Sequence, residues 1–264
     1  MSFEKFIARR YIRSKQQTLF INIIMLVSLA GVTVGVAALI IVLSVFNGFN
    51  KVVTDVLVGF DPHVRILPNV GKSFQLSDTL NSALHEAGVQ GWSPYVESKA
   101  LLVSKNGNRV AVVKGVDDST IGTVSGVRQA TVAGKFDFGN DGSGIVVGLS
   151  LADRLGIIVG SELTVVSPVG IDAMIVQYTE PEMRRFTVTG IYDSRNKEYD
   201  THYAFISIEV ARNLFQFPRT AVSGVEVRLN NIKEAEKIKL ALHNVLGEKY
   251  SVLSWYDLHK DLYS

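Results

Sequence analysis

The sequence predicts an α+β fold: a mixed α/β domain of two subdomains, carried behind a single N-terminal transmembrane helix. Three observations lead there. No charged residue occurs between Lys15 and Lys51. The segments after Asn50 alternate between strand-like runs and runs at helical spacing, and several strand-like runs follow one another without a helix, the mark of antiparallel or mixed sheet. The chain has 264 residues, 47% hydrophobic and 20% charged, and its mean hydropathy of +0.22 is high for a protein made wholly for water. Removing one membrane helix leaves roughly 200 residues, enough for one large or two small cores.

Leu19 to Phe49 reads LFINIIMLVSLAGVTVGVAALIIVLSVFNGF. As a helix at about 1.5 Å per residue it is roughly 45 Å long, against a hydrocarbon core of about 30 Å. A secretory signal peptide is the rival, but its apolar region runs about 7 to 15 residues and ends in a small-residue cleavage site. Here the run is longer and passes into Asn47-Gly48-Phe49, so a retained anchor is expected. Five of the 27 basic residues, Lys5, Arg9, Arg10, Arg13 and Lys15, stand in the first fifteen positions against one acid, Glu4. The positive-inside rule then places residues 1–18 in the cytoplasm and the chain after Asn50 outside. Within the helix Gly31 and Gly35 form a GxxxG pair followed by Ala37 and Ala38. The pair either lets another helix, or a lipid chain, approach closely or reflects the general abundance of glycine in membrane helices.

The exported elements follow in order. His63 to Leu67 reads as a strand, and Ser77 as the N-cap of a helix carrying Leu80, Ala83, Leu84 and Ala87, closed by Gly88. Ala100 to Lys105 and Arg109 to Val116 flank Asn106-Gly107, a hairpin signal. Asp118 to Ser143 is rich in Gly, Thr and Asp and marks a possible second subdomain from about 118. Ile145 to Val147 reads as a strand, Ser150 as the cap of a short helix through Leu155, and Glu162 to Ser167, Phe186 to Tyr192 and Tyr203 to Ser207 as strands. Ile208 to Phe215 follows as a helix and Gly224 to Leu229 as a strand. Ile232, Ala235, Ile238, Leu242 and Val245 recur at helical spacing up to Gly247, and Tyr250 to Ser254 is the last strand. The exported domain is thus bounded at 50–255.

Chemistry is sparse. Zero cysteines exclude disulfides, thiolate metal sites and a cysteine nucleophile. The net charge of +2 is concentrated at the N-terminus, with no basic stripe interleaved with aromatics elsewhere, which disfavours nucleic acid. His63, His85, His202, His243 and His259 are scattered without metal-ligand spacing and read as surface or structural residues. Gly142, Gly144 and Gly148 imitate a phosphate loop but lack GK[ST]. Asp137 and Asp141 suggest a calcium loop whose twelfth position, Gly148, cannot supply the needed carboxylate. No G-x-S-x-G occurs. No enzyme activity, metal or cofactor is expected of this chain.

The segments FIARRYIRSK, GVTVGVAALIIVLSVFNGF, GFDPHVRI, VKGVD, VVGLSLADRLGIIVGSELTVVSP, RRFTVTGIYDS, EYDTHYAFISIEVARNLF and VSGVEVRLNN together resemble the lipoprotein-releasing permease family, the LolC and LolE type. The resemblance covers nearly the whole chain. It implies a MacB-like periplasmic core domain behind the anchor, in a bacterial inner membrane. It also implies a non-catalytic permease that works with a dimeric ABC ATPase, which binds the ATP, and with a second permease subunit. The pair would extract lipoprotein substrates from membrane lipid and pass them to a periplasmic lipoprotein chaperone. Family members carry three further membrane helices; here residues 256–264 would be the approach to the next one, and either a fragment or truncated product, or a remainder encoded separately, is expected. A MacB-like efflux permease, a permease controlling a cell-wall hydrolase and a single-pass receptor are the alternatives, the last weakened by so short an N-terminal tail.

Between the strands ending near Ser167 and starting near Arg184 lies PVGIDAMIVQYTEP, Pro168 to Pro181, too long for a tight turn and carrying Ile171, Met174, Ile175, Val176 and Tyr178. Apolar residues clustered on a projection mark a binding surface, unless they fold back on their own sheet. The resemblance places a chaperone-recruiting hairpin here, although the loop's own sequence departs from the family's. Within it Met174, Ile175 and Tyr178 are expected as apolar anchors, with Arg184 and Arg185 at the base as polar contacts to an acidic rim.

Overall fold

The computed structural model describes residues 6–7, 10, 19–168 and 181–258, and the chain divides into two compact units, Met1–Asp55 and Val56–Ser264. Helix α1 runs Leu19–Phe60, beyond the expected end at Phe49. The apolar run marks where lipid stops, whereas the helix continues until Pro62 forbids it. Within the first unit Ile23–Phe49 has a mean hydropathy of 2.7 and is exposed throughout, long and apolar enough to cross a membrane. Thr33 satisfies its hydroxyl internally by donating to the Leu29 carbonyl at 2.7 Å, as a polar side chain facing hydrocarbon must.

The strands of the second unit are β1 (Val64–Pro68), β2 (Phe74–Gln75), β3 (Gly91–Val103), β4 (Asn108–Val116), β5 (Thr131–Gly134) and β6 (Gly144–Gly148). They continue as β7 (Glu162–Val166), β8 (Met183–Tyr192), β9 (Tyr203–Ser207), β10 (Ala221–Val222), β11 (Gly224–Arg228) and β12 (Tyr250–Ser254). The helices among them are α2 (Asp78–Glu86), α3 (Ile121–Val124), α4 (Leu149–Leu155), α5 (Lys197–His202), α6 (Ile208–Leu214), α7 (Ala235–Leu246) and α8 (Trp255–Leu258). The main sheet has the order β12-β1-β11-β3-β4-β9-β6-β8-β5, while β10 and β2 form a separate pair. Strand β7 lies off that path and pairs with both β3 and β8, so β3, β4, β9, β6, β8 and β7 close a circuit. Pairing is antiparallel except for β4 with β9 and β6 with β8, which makes the sheet mixed.

The core has three parts. Val96, Leu102, Val113, Ile145, Leu163, Val188 and Ile206 fill the inside of the strand circuit with α4 and α6 against them. Val64, Ile66, Val225, Val227 and Val252 carry α2 and α7 through Leu80, Leu84, Leu242 and Leu246. Phe60, Tyr95, Ile121, Phe136, Tyr192 and Phe205 form the third cluster. Alternation along each strand sends neighbouring residues to opposite faces, which lets one sheet serve all three.

Several caps act as the sequence predicts. Ser77 accepts from the Leu80 amide, and Gly88 follows α2 at φ +64°. The Asn106-Gly107 hairpin closes through the Ser104 amide, which donates to the Gly107 carbonyl at 2.9 Å. Ser150 is not a cap: β6 passes straight into α4, with Gly148 as N-cap. A side chain at Gly148 would stand 2.4 Å from the Asp200 carbonyl oxygen, so this junction requires glycine. Strand β3 begins nine residues earlier than expected and includes Pro94, whose missing N–H discourages a strand reading. The stretch 118–143 holds α3 and β5 and buries Ile121, Val124, Val127, Phe136 and Phe138, within the same compact unit as its surroundings.

Candidate functional site

Residues 169–180, which include Met174, Ile175 and Tyr178, lie outside the described residues; the ladder that carries them does not. Strands β7 and β8 pair Val166 with Met183, Val165 with Arg184, Thr164 with Arg185 and Leu163 with Phe186. The Ser167 amide donates to the Glu182 carbonyl at 2.8 Å, one rung further. Arg184 and Arg185 are adjacent on one strand and therefore face opposite sides of the ladder. Arg184 lies over the Phe186 ring at 5.7 Å and donates to the Asp141 carbonyl at 2.9 Å, while Arg185 is exposed. The two arginines thus stand on opposite faces of the ladder that flanks residues 169–180.

On the face of Arg185 the register lines up an apolar row across four strands. Val110 on β4 faces Leu101 on β3, Leu101 faces Val166 on β7, and Val166 faces Met183 on β8. Val110 is 62% exposed, Leu101 37% and Met183 53%. Single exposed apolar side chains need no explanation, but a contiguous row reaching the strand ends on either side of residues 169–180 does. The Asn106-Gly107 signal predicts the hairpin of β3 and β4, but the continuation of its outer face onto β7 and β8 leaves no local signal, because that pairing is non-local.

Gly31 and Gly35 sit on one face of α1, and a side chain added at either position would meet no atom within 4 Å. The face is therefore open to a partner helix or to lipid.

At the other end of the second unit the quoted segments GFDPHVRI, GIYDS and EYDTHYAF converge. The Phe60 ring stacks on Tyr192 at 5.7 Å and tilts against Tyr199 at 4.8 Å; the Phe60 carbonyl accepts from Ser125 Oγ at 3.1 Å. Asp61 accepts from the Tyr199 hydroxyl, whose pKa is raised first by burial and then by that carboxylate, so it stays a donor. Tyr192 donates to the carbonyls of Tyr199 and Tyr203 at 3.0 and 3.2 Å. None of Phe60, Asp61, Ser125, Tyr192 and Tyr199 is singled out by local sequence signals; all but Ser125 stand in a segment that carries the resemblance.

Beside this clamp is a buried ion cluster. Glu226 accepts from both Lys114 and Arg65, the latter at 3.0 Å, and the Lys114 ammonium stands 4.3 Å from the Tyr95 ring centre. Burial alone would raise the Glu226 carboxyl, but Lys114 and Arg65 outweigh it and hold the pKa below the usual range. His63 is buried: its Nδ1 accepts from the Leu229 amide at 3.1 Å and its carbonyl accepts from the Trp255 amide at 2.9 Å. Burial and the Arg228 charge lower its pKa to about 4. His85, His202 and His243 are exposed, and His259 lies outside the described residues. Among the described residues no group of three His, Cys, Asp or Glu could hold a metal ion.

Comparison with known proteins agrees with this reading. The chain is 32% identical to the lipoprotein-releasing system transmembrane protein LolC of Neisseria meningitidis serogroup B over 91% of its length, and 29% identical to LolC of Xylella fastidiosa over 98%. It is 27% identical to the corresponding LolE protein of Haemophilus influenzae over 95%. It spans 58%, 62% and 60% of those curated relatives, respectively. The periplasmic region of MacB from Actinobacillus actinomycetemcomitans has the same fold, with a TM-score of 0.50 at 11% identity, covering 80% of this chain and 96% of that one. The family model of the MacB-like periplasmic core domain matches residues 25–245, and the chain belongs to that family.

Proposed function

We propose that this chain supplies the first membrane span and the periplasmic domain of a permease subunit that releases lipoproteins from a bacterial inner membrane. The observation that supports it most is similarity to LolC and LolE proteins along more than nine-tenths of the chain. Its residues bind and transmit motion rather than catalyse: the polar groups gathered in the second unit are structural ion pairs and hydrogen bonds, and ATP hydrolysis falls to a separate ABC ATPase. A second permease subunit packs against the Gly31 and Gly35 face, the N-terminus lies in the cytoplasm, and the domain after α1 lies in the periplasm. The projection Pro168 to Pro181 recruits a periplasmic lipoprotein chaperone through Met174, Ile175 and Tyr178. Arg185 and the apolar row Val110, Leu101, Val166 and Met183 continue that surface, while Arg184 supports it from the other face.

The test is to co-express the chain, completed by the membrane helices of its longer relatives, with the ATPase and the chaperone, and to measure lipoprotein transfer from inner-membrane vesicles. Transfer is expected with the intact projection and is abolished when Gly170 to Thr179 are deleted. Full transfer by the deletion variant would reject the projection as the chaperone site, and no transfer by the intact complex would reject the lipoprotein-release reading itself.

A further inference from the structure

Asn106 and Gly107 form the tip between β3 and β4, and the same two residues can react with each other. With no side chain at Gly107, its backbone nitrogen is unshielded and can attack the Asn106 carboxamide carbon. In that step the Gly107 N–H gives up its proton and a bond forms between the Gly107 nitrogen and Asn106 Cγ. The bond from Cγ to the side-chain nitrogen breaks, and that nitrogen leaves as ammonia with the proton. Water then opens the resulting cyclic imide at either carbonyl, which gives aspartate or isoaspartate. The carboxamide stands where water reaches it: Asn106 is exposed and Gly107 half-buried.

The fold occupies both reacting groups. The Gly107 amide donates to Ser104 Oγ at 3.1 Å, and Asn106 Nδ2 donates to the Gly156 carbonyl at 2.7 Å. Ser104 is itself fixed, since its hydroxyl also accepts from the Asn106 amide at 3.1 Å and donates to the Leu155 carbonyl at 2.7 Å. Gly156 is the left-handed C-cap of α4 at φ +60°, and a side chain there would stand 2.9 Å from Asn106 Nδ2, so the asparagine lies directly against the cap. Attack requires the nitrogen to face Cγ at close range with its lone pair aligned. Here the nucleophile's N–H is aimed at Ser104 and the leaving nitrogen at Gly156, so both bonds must be given up before the reaction can start.

We propose that Asn106 is a spontaneous modification site, convertible to aspartate and isoaspartate, which Ser104 and the C-cap of α4 hold in reserve. The reaction needs water as its one co-reactant. Its product undoes the contact that restrains it: a carboxylate oxygen would stand where the Nδ2 donor now meets the Gly156 carbonyl, two acceptors facing each other at hydrogen-bond distance. Isoaspartate in addition inserts a backbone methylene into a tight turn. The modified tip loses its tie to α4, and the hairpin it belongs to carries Leu101 and Val110 of the outer row.

The experiment incubates the full chain at mildly alkaline pH, folded in nonionic detergent and unfolded in urea, then digests it and maps the peptides by mass spectrometry. Conversion is read as the mass gain of an amide-to-acid exchange, with aspartate and isoaspartate products eluting separately. Asn106 should convert about tenfold or more faster in the unfolded chain than in the folded one, because the folded chain reacts only when the tip opens. Ser104→Ala removes the acceptor of the Gly107 amide and should raise the folded rate at Asn106 by about fivefold. The other Asn-Gly pair, Asn47-Gly48 within α1, serves as reference and should keep its folded rate in that variant. Ser104→Thr retains the hydroxyl and should convert as slowly as the unaltered chain. Equal rates folded and unfolded, or no conversion in urea, would overturn the proposal. So would Ser104→Ala raising the rate at neither pair or at both, or Ser104→Thr converting as fast as Ser104→Ala.

Discussion

The phenol of Tyr199 donates a hydrogen bond to the carboxylate of Asp61, across 138 positions of sequence. Asp61 is the first residue after α1, and Tyr199 lies in α5. Their contact, with Phe60 stacked on Tyr192 and the Phe60 carbonyl held by Ser125, fixes the end of α1 to strands β8 and β9 rather than to a loose linker.

Removing the phenolic O–H tests the clamp. Tyr199→Phe keeps the ring against Phe60 and loses the bond to a charged acceptor, which costs about 1 to 3 kcal/mol. Tyr199→Ala also loses the aromatic contact and should cost about 3 to 5 kcal/mol. Thermal melting of the full chain in detergent measures both, and equal melting of Tyr199→Phe and the unaltered chain would show that the bond contributes nothing.

Glu226→Gln should be the most damaging single change among the polar groups. It leaves Lys114 and Arg65 as two cations around one neutral amide, at a cost of about 3 to 5 kcal/mol. Because the folded pKa of Glu226 is depressed, its contribution is present above the unfolded carboxyl pKa and is lost as pH falls through the lower folded value. The Gln variant should therefore lose part of the acid sensitivity seen in the unaltered chain, measured as melting temperature against pH.

His63 titrates in a separate window. Its folded pKa of about 4 lies below the model-peptide value of 6.5, so the unfolded chain takes up a proton first as pH falls. Stability should be complete above about pH 6.5 and fall by up to roughly 3 kcal/mol towards pH 4, at about 1.4 kcal/mol per unit. His63→Asn, which can still accept from the Leu229 amide, should flatten the profile between pH 6.5 and 4. An unchanged slope would mean that another group carries the effect.

What the sequence revealed and what it hid divide along contact range. Ser77 with Gly88, Asn106-Gly107 and the strand Tyr203 to Ser207 depend on neighbours a few residues away, and each is found where local signals put it. Pairings over long range left no such signal. The outer row from Val110 to Met183 needs β7 placed between β3 and β8, and the clamp needs residues 60, 125, 192 and 199 brought together. The apolar span ends at Phe49 while α1 runs on to Phe60, because hydropathy reports lipid contact, whereas helix continuation depends on the absence of a breaker before Pro62.

Gly31→Leu and Gly35→Leu should weaken crosslinking between α1 and a partner permease helix, because the face is open at both glycines and leucine forces the backbones apart. Crosslinking unchanged in both variants would assign the face to lipid instead.

The opposite orientation of Arg184 and Arg185 makes the proposed chaperone surface separable by mutation. If the partner docks on the outer face, Arg185→Glu and Leu101→Lys should each weaken chaperone binding by about 1 to 2 kcal/mol, and Met174→Ala, Ile175→Ala and Tyr178→Ala by similar amounts. Neither outer position contributes to the core: Arg185 is exposed and Leu101 faces Val166 on the outside of the strand circuit. Melting temperature should therefore stay unchanged in those two variants. Arg184→Glu behaves differently. It removes the bond to the Asp141 carbonyl and the contact over Phe186, so its loss appears as reduced stability, with binding affected only as far as the projection loosens. Chaperone affinity measured on the full chain in detergent, beside melting temperature, distinguishes the two. Strong loss of affinity for Arg184→Glu at unchanged stability, with Arg185→Glu and Leu101→Lys silent, would move the docking surface to the inner face of the ladder.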